Sequence, residues 1–202
     1  MYKRQVLDHG ADRLGVATLG EGVSLRMAGI MAPILVLGWV APEQAEIAIR
    51  YNIAQTVFTY EAAAAISAKA QEKGKQAVIH IKVDSGFGRI GFLCNEQSLE
   101  DICRIMALPN LYVEGMYTHF ACADAEDLSH ARRQHRAFQD FVSELRRRGY
   151  TVPLLHAANS SALVNMPETH YDMVRAGLLM YGHYPSAFVS KEKINVLPCR
   201  CV

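Results

Sequence analysis

The chain has 202 residues, with 21 Lys and Arg against 20 Asp and Glu, a formal net charge of +1 and 50% hydrophobic residues. That balance excludes a disordered chain and removes the electrostatic case for nucleic-acid binding, which needs a basic excess to displace counterions. Five cysteines without framework spacing argue against a disulfide-stapled secreted protein, and no apolar run nears the roughly 20 residues that span a bilayer.

Short apolar runs alternate with stretches of helical period. Expected strands fall at 14–18, 34–37, 55–59, 77–83, 113–118, 153–157 and 173–178, several of them rich in Val and Ile as strands buried on both faces should be. A helix is expected over 42–51, opened by Pro42 at a first-turn position. Others are expected over 61–73, stopping at Gly74, over 95–108, ending before Pro109, and over 128–148, ending at Gly149. No signal-peptide core follows Lys3-Arg4, so a cytoplasmic protein without a membrane segment is expected.

Repeated βα units mean parallel strands joined by crossover helices, in an open doubly wound sheet or a closed barrel. No Gly-x-Gly-x-x-Gly follows the first strand, and chemically capable residues gather at the carboxyl ends of several strands, where barrels build their active sites. The expected fold is therefore an α/β, (β/α)8 TIM-type barrel. Such a barrel takes about eight units, so seven strands in a chain that opens almost directly at a strand imply that the first strand is missing.

Four strand ends carry the chemistry. The first is Lys82-Val83-Asp84-Ser85-Gly86-Phe87-Gly88-Arg89. Arg89 offers a planar fork for a carboxylate or phosphate, or forms a structural ion pair with Asp84. Lys82 falls inside a buried-strand pattern, where an ammonium needs an anionic partner, neutralisation or modification. The second is Tyr117-Thr118-His119-Phe120, a strand that delivers His119 to its end, with Cys122 beyond it lacking any protease signature. The third is His156-Ala157-Ala158-Asn159-Ser160, where Asn159 and Ser160 either cap a helix or hold an anion at its start. The fourth is Val174-Arg175-Ala176-Gly177-Leu178, in which Arg175 inside an apolar pattern demands a buried partner and Gly177 permits close backbone approach. With one strand missing, the third and fourth ends follow strands seven and eight, from which barrels often build a phosphate site. Elsewhere, His130 and His135 lie among Arg132, Arg133 and Arg136 on a helix read as a solvated face. Trp39 reads as a rim or packing residue, and Cys199-x-Cys201 is too short for a zinc site.

Taken together and in this order, the four motifs closely resemble the barrel domain of bacterial alanine racemase, and the segment from Gly10 to Thr18 with Glu21 resembles that family's second strand and helix. The resemblance covers nearly the whole chain. It implies pyridoxal 5'-phosphate as cofactor and the interconversion of L- and D-alanine, which supplies cell-wall precursors. It also implies roles for individual residues. Arg175 would face the pyridine nitrogen and His119 would pack against the ring. Ser160, beside Asn159 and with the backbone of Gly177 and Leu178, would hold the phosphate. Arg89 would orient the substrate carboxylate, and Lys82 would be the lysine often carbamylated in the family.

The departures are as informative. The family's cofactor lysine lies in a Lys-Ala-x-Ala-Tyr-Gly motif that does not occur in this sequence. Lys3 stands only about ten residues before the next strand, too close for a crossover helix and its loops. The family's second base is a tyrosine of a C-terminal β-domain that reaches across a homodimer. The expected organisation is thus a partial barrel over 1–190 and, over 191–202, the start of a connection to a missing domain. Met1–Gln5 fits the family poorly and reads as a fragment or assembly artefact. The chain alone should be inactive, and a barrel short of one strand has open edges that invite association. A serine or broad-specificity racemase, or a non-catalytic cofactor-binding barrel, is the alternative.

Overall fold

The computed structural model describes residues 2–197; Met1 and the Cys199-x-Cys201 pair lie outside them. The strands are β1 (Leu14–Val16), β2 (Ile34–Val36), β3 (Ala54–Val57), β4 (Ala77–Asp84), β5 (Phe92–Leu93), β6 (Leu111–Tyr117) and β7 (Leu154–His156). The helices are α1 (Tyr2–Asp8), α2 (Leu19–Met27), α3 (Ala45–Arg50), α4 (Tyr60–Glu72), α5 (Glu96–Met106), α6 (Ser129–Arg147) and α7 (Ser160–Asn165). Strand order is β1-β2-β3-β4-β6-β7, with β5 paired to β4. Residues up to Lys82 with Glu100–Glu114 form one compact unit, and Val83–Leu99 with the residues from Gly115 onward form a second, so β4 and β6 contribute to both. Among the described residues no helix is long and apolar enough to cross a membrane.

In the first unit β1 to β4 pair in parallel and in chain order, with Leu14 opposite Ile34, Leu35 opposite Ala54 and Thr56 opposite His80. Leu14, Val16, Ile34, Val36 and Ile53 form a core against which Val6 and Leu7 of α1 pack. The expectation that the chain opens almost directly at a strand is corrected here. The segment before β1 is helical because Lys3-Arg4-Gln5 contains no helix breaker and two apolar side chains find the core; Gly10, at φ 99°, reverses the chain behind them. Arg26 ties the approaches to β2 and β3 by donating to the carbonyls of Ile30, Ala32, Tyr51 and Asn52 at 2.7–2.9 Å. Thr18 and Thr59 cap α2 and α4 by accepting from the amides of Glu21 and Ala62.

Two details of the second unit were not anticipated. Phe92 and Leu93 form a short parallel strand on the end of β4, opposite Val83 and Asp84. Gly91 makes this possible: at φ 139° it lies so near β4 that a Cβ would meet the Asp84 nitrogen at 2.4 Å. The strand expected over 173–178 is not formed and is corrected to a single bridge between Met173 and His156. Its place is taken by Asp172, whose amide donates to the Leu155 carbonyl while its carboxylate accepts from the Leu155 amide at 2.8 Å. A side chain thus replaces one rung of a ladder, and the chain then winds into a 3-10 turn over Leu178–Tyr181.

A charge cluster in the first unit was also unforeseen. Glu114 of β6 accepts from Arg13 at 2.7 Å and pairs with the buried His80 of β4 at 2.9 Å. The His80 hydrogen bond, opposed by burial and assisted by Arg13, holds the Glu114 carboxyl well below the ordinary range, at about 2. A depressed carboxyl stabilises the fold above its unfolded value and loses that contribution as pH falls through the folded value. Unfolding free energy is therefore expected to drop by about 1–2 kcal/mol between roughly pH 4.5 and pH 2, the discount reflecting partial solvent screening. Urea titrations across that range check it, and Glu114→Gln should flatten the acid slope.

Candidate active site

The candidate groups stand where strands stop. Asp84 is the last residue of β4, and its carboxylate gathers the loop that follows. One oxygen accepts from the amides of Gly86 and Phe87 at 2.9 and 2.6 Å, and the other from Gly88 and Arg89 at 2.8 Å each. Burial opposes the charged form, but the four amides outweigh it and hold the carboxyl below its usual range. Gly86 and Gly88, at φ 123° and 77°, allow a turn this tight. The alternative of an Asp84–Arg89 ion pair is corrected: the carboxylate serves the backbone. The exposed Arg89 guanidinium instead lies over the Phe87 ring, 4.3 Å from its centroid, and Phe87 meets the His119 ring edge-on at 5.6 Å.

Arg175 is the centre of the arrangement. Its guanidinium donates to the Thr118 carbonyl at 2.7 Å, the Ala157 carbonyl at 3.1 Å, Nδ1 of His156 at 2.7 Å and Nδ1 of His119 at 3.3 Å. Its own amide donates to the Ala158 carbonyl. An arginine only donates, so Nδ1 of both histidines must accept and each neutral ring carries its proton on Nε2. Burial lowers the guanidinium to about 10, with the Tyr117 phenol acting in the opposite direction, so Arg175 remains a cation at neutral pH. Tyr117 stacks on His156 at 4.6 Å and lies beneath the guanidinium. None of the four side-chain bonds uses the Nε–H.

At the end of β7, Asn159 caps α7 by accepting from the Ala162 amide at 3.0 Å. The Ser160 hydroxyl receives the amides of Gly177 at 2.9 Å and Leu179 at 3.4 Å, bringing two distant segments onto one oxygen. Leu178, between them, exposes its side chain. A Cβ at Gly177 would meet only the Ser160 hydroxyl, at 3.7 Å, an ordinary contact. The protein's own packing therefore does not demand glycine there, and the space lies open above the hydroxyl.

Arg89, His119, Asn159, Ser160, Arg175, Gly177 and Leu178 all belong to the second unit, whereas Lys82, buried on β4, belongs to the first. Two supporting residues escaped the sequence reading. His156 ends an apolar run and pairs with an arginine that interrupts another, a match visible only in hindsight. Gln134 of α6 donates to the His119 carbonyl and accepts from the Ala121 amide, clasping the segment beyond β6. The solvated-face reading of His135 is corrected: it is 6% exposed and bonds the Tyr171 hydroxyl at 2.8 Å, because it shares the helix face of Ala131, Phe138 and Val142. Trp39 is 60% exposed, and Cys122 is exposed. Among the described residues no group of three His, Cys, Asp or Glu side chains is placed to hold a metal ion.

Parallel strands with crossover helices, and functional groups collected at their carboxyl ends, define a protein of the β/α-barrel class. The chain belongs to the family described as alanine racemase, N-terminal domain, whose pattern matches residues 3–185. It is 46% identical to the alanine racemase of Desulforamulus reducens over 195 residues, covering 96% of this chain and 53% of that protein. The solved alanine racemase of Clostridium difficile superposes with a TM-score of 0.95 at 37% identity, over 96% of this chain and 51% of that one. A histidine racemase from Leuconostoc mesenteroides superposes at 0.90 with 29% identity, over 98% and 52%. The chain thus spans about half the length of the relatives it matches.

The Asp84 loop supplies a direct test of the local argument. Asp84→Ala leaves four amides without their acceptor and is expected to cost about 2–3 kcal/mol in chemical unfolding. Asp84→Asn, which keeps one acceptor oxygen, should fall between it and the parent. A loss below about 0.5 kcal/mol for the alanine variant, the usual effect of a surface change, would show that the carboxylate does not organise the loop.

Proposed function

We propose that this chain is the cofactor-binding part of a pyridoxal 5'-phosphate-dependent amino-acid racemase. Its substrate is alanine, and the whole enzyme works in the cytoplasm as a homodimer that supplies D-alanine for peptidoglycan. The observation that carries this reading is Arg175, a permanent cation at the meeting of two strand ends, with neutral partners on both terminal nitrogens and an Nε–H outside those bonds.

The donor set suits the cofactor. An Nε–H aimed at a ring nitrogen keeps that nitrogen an acceptor and therefore unprotonated. The half-buried His119 ring, fixed from behind by Arg175, offers a face for the pyridine. The Ser160 hydroxyl, the amides around Gly177 and the α7 start capped by Asn159 provide donors for a phosphate, and the absent Cβ of Gly177 leaves room for it. Bound there, pyridoxal phosphate supplies an electron-withdrawing ring that acidifies the α-proton of an attached amino acid. Arg89 would receive the substrate carboxylate in its planar fork, and Lys82 would be the lysine often carbamylated in the family.

Neither proton-transfer group of a two-base racemisation is evident in the sequence, since it has no Lys-Ala-x-Ala-Tyr-Gly motif and the second base belongs to the C-terminal β-domain of the family. A second reading keeps the cofactor and changes the amino acid, and the likeness to a histidine racemase over 98% of the chain favours it. Alanine, serine and histidine turnover by the complete gene product separates the two.

The 202-residue chain is expected to bind pyridoxal phosphate reversibly, giving a saturable fluorescence titration, and to racemise no alanine by chiral chromatography. Arg175→Gln and Ser160→Ala should each raise the dissociation constant about tenfold or more, as expected for lost charge-assisted hydrogen bonds. Absence of saturable binding would overturn the cofactor reading, and racemisation by this chain would overturn the expectation that these residues alone are inactive.

A further inference from the structure

The segment that presents Arg175 is held on two sides. On the β7 side, Asp172 clasps Leu155 and the Arg175 amide bonds the Ala158 carbonyl. On the other side stands Tyr171, which no part of the proposed reaction uses. Its backbone is left-handed, at φ 47°, an uncommon conformation for a bulky residue that surrounding contacts must hold. Those contacts are specific. The hydroxyl meets Nε2 of His135 at 2.8 Å, and the ring packs edge-on against His135 at 5.6 Å and Phe138 at 5.8 Å. Phe120 closes the far side of His135, edge-on at 6.4 Å. Tyr171 also packs against the cluster containing Ala157 and Ala158, whose carbonyls receive Arg175.

We infer that His135 and Tyr171 form a latch that sets the position of Arg175, and that protonation of His135 opens it. Both are positioning residues: they have no part in holding cofactor or substrate in the proposed site and act through the five-residue span from Tyr171 to Arg175. The groups around His135 define the response to pH. Burial disfavours the imidazolium, the Glu168 carboxylate favours it and the Arg136 guanidinium opposes it, with the net effect a lowered value. The Tyr171 phenol, pushed up to about 12 by burial, stays neutral throughout, and His170 directs its ring to the Leu163 carbonyl. A histidine whose folded value is depressed leaves the closed state intact above its unfolded value, about 6.5, and weakens it as pH falls below that. Ligand release on mild acidification follows.

The inference rests on Arg175 as a cofactor ligand, and two readouts keep that assumption separate from the latch itself. The first is pyridoxal phosphate affinity between pH 5 and 8. The second is the Nε–H nuclear magnetic resonance signal of Arg175 in the chain without cofactor, assigned by its loss in Arg175→Lys. Tyr171→Phe should weaken binding about three- to tenfold at neutral pH and shift the Arg175 signal, as loss of one buried hydrogen bond predicts. His135→Gln, whose amide can reach the same hydroxyl without titrating, should keep neutral-pH affinity within about twofold and lose part of the acid weakening. Parent and variant differ only at position 135, so the difference in pH dependence belongs to His135. The double variant His135→Phe with Tyr171→Phe removes both polar groups, and is the fallback where a single change unfolds the chain; it should bind with no His135-dependent acid limb. If parent and variants show the same Arg175 signal and the same pH dependence, the latch is refuted. If the parent binds no cofactor but Tyr171→Phe still shifts the Arg175 signal, the latch stands and the cofactor reading fails.

Discussion

A guanidinium taken out of water must place its N–H groups on acceptors, and it can accept nothing in return. Arg175 meets that demand with the carbonyls of Thr118 and Ala157 and with Nδ1 of His119 and His156. Most of what surrounds the candidate site follows from this. The carbonyls are available because β6 and β7 have just ended and their next residues have left the ladder. The two rings are fixed as one tautomer because the arginine leaves them no other role. No carboxylate is among these partners, so the positive charge is not offset by a neighbouring anion.

Asp84 solves the opposite problem by the same means. Its carboxylate collects four main-chain amides, as Arg175 collects main-chain carbonyls. Asp84 is thereby satisfied by backbone amides, Arg175 by backbone carbonyls and neutral imidazoles, and neither uses the other as a counter-ion. Arg89 is left over an aromatic ring with its fork toward solvent, suited to an incoming anion. The Arg13–Glu114–His80 cluster of the first unit contrasts with this, since there a carboxylate takes its partners side chain to side chain and lies against the Arg13 cation. That is a structural arrangement, with no cation held in reserve.

Much of this was legible in the residues. Six strands and the helices α3 to α6 stand within a few residues of where apolar runs and caps put them, because each depends on local period and on neighbours such as Pro42 and Gly74. The placing of Asp84, His119 and Ser160 at or just beyond strand ends was equally readable. What misled was composition taken without its face. His135 stands among three arginines in sequence, yet the turn of the helix gives it to the apolar side. The run at 173–178 is apolar enough for a strand, yet it forms one bridge only.

The sequence by itself determined the alternation of parallel strands and helices and the identity of the groups at their ends, since hydrophobic period and glycine position act over a few residues. Tertiary structure alone decided which partner each charged group would take. Asp172 replaces a ladder rung at Leu155, 17 residues away, and Arg175 reaches the Thr118 carbonyl across 57. Those choices were open because donors and acceptors of the right kind are plentiful along the chain. Only the folded backbone brings particular ones within the 2.7–3.3 Å at which Arg175 holds its four side-chain partners.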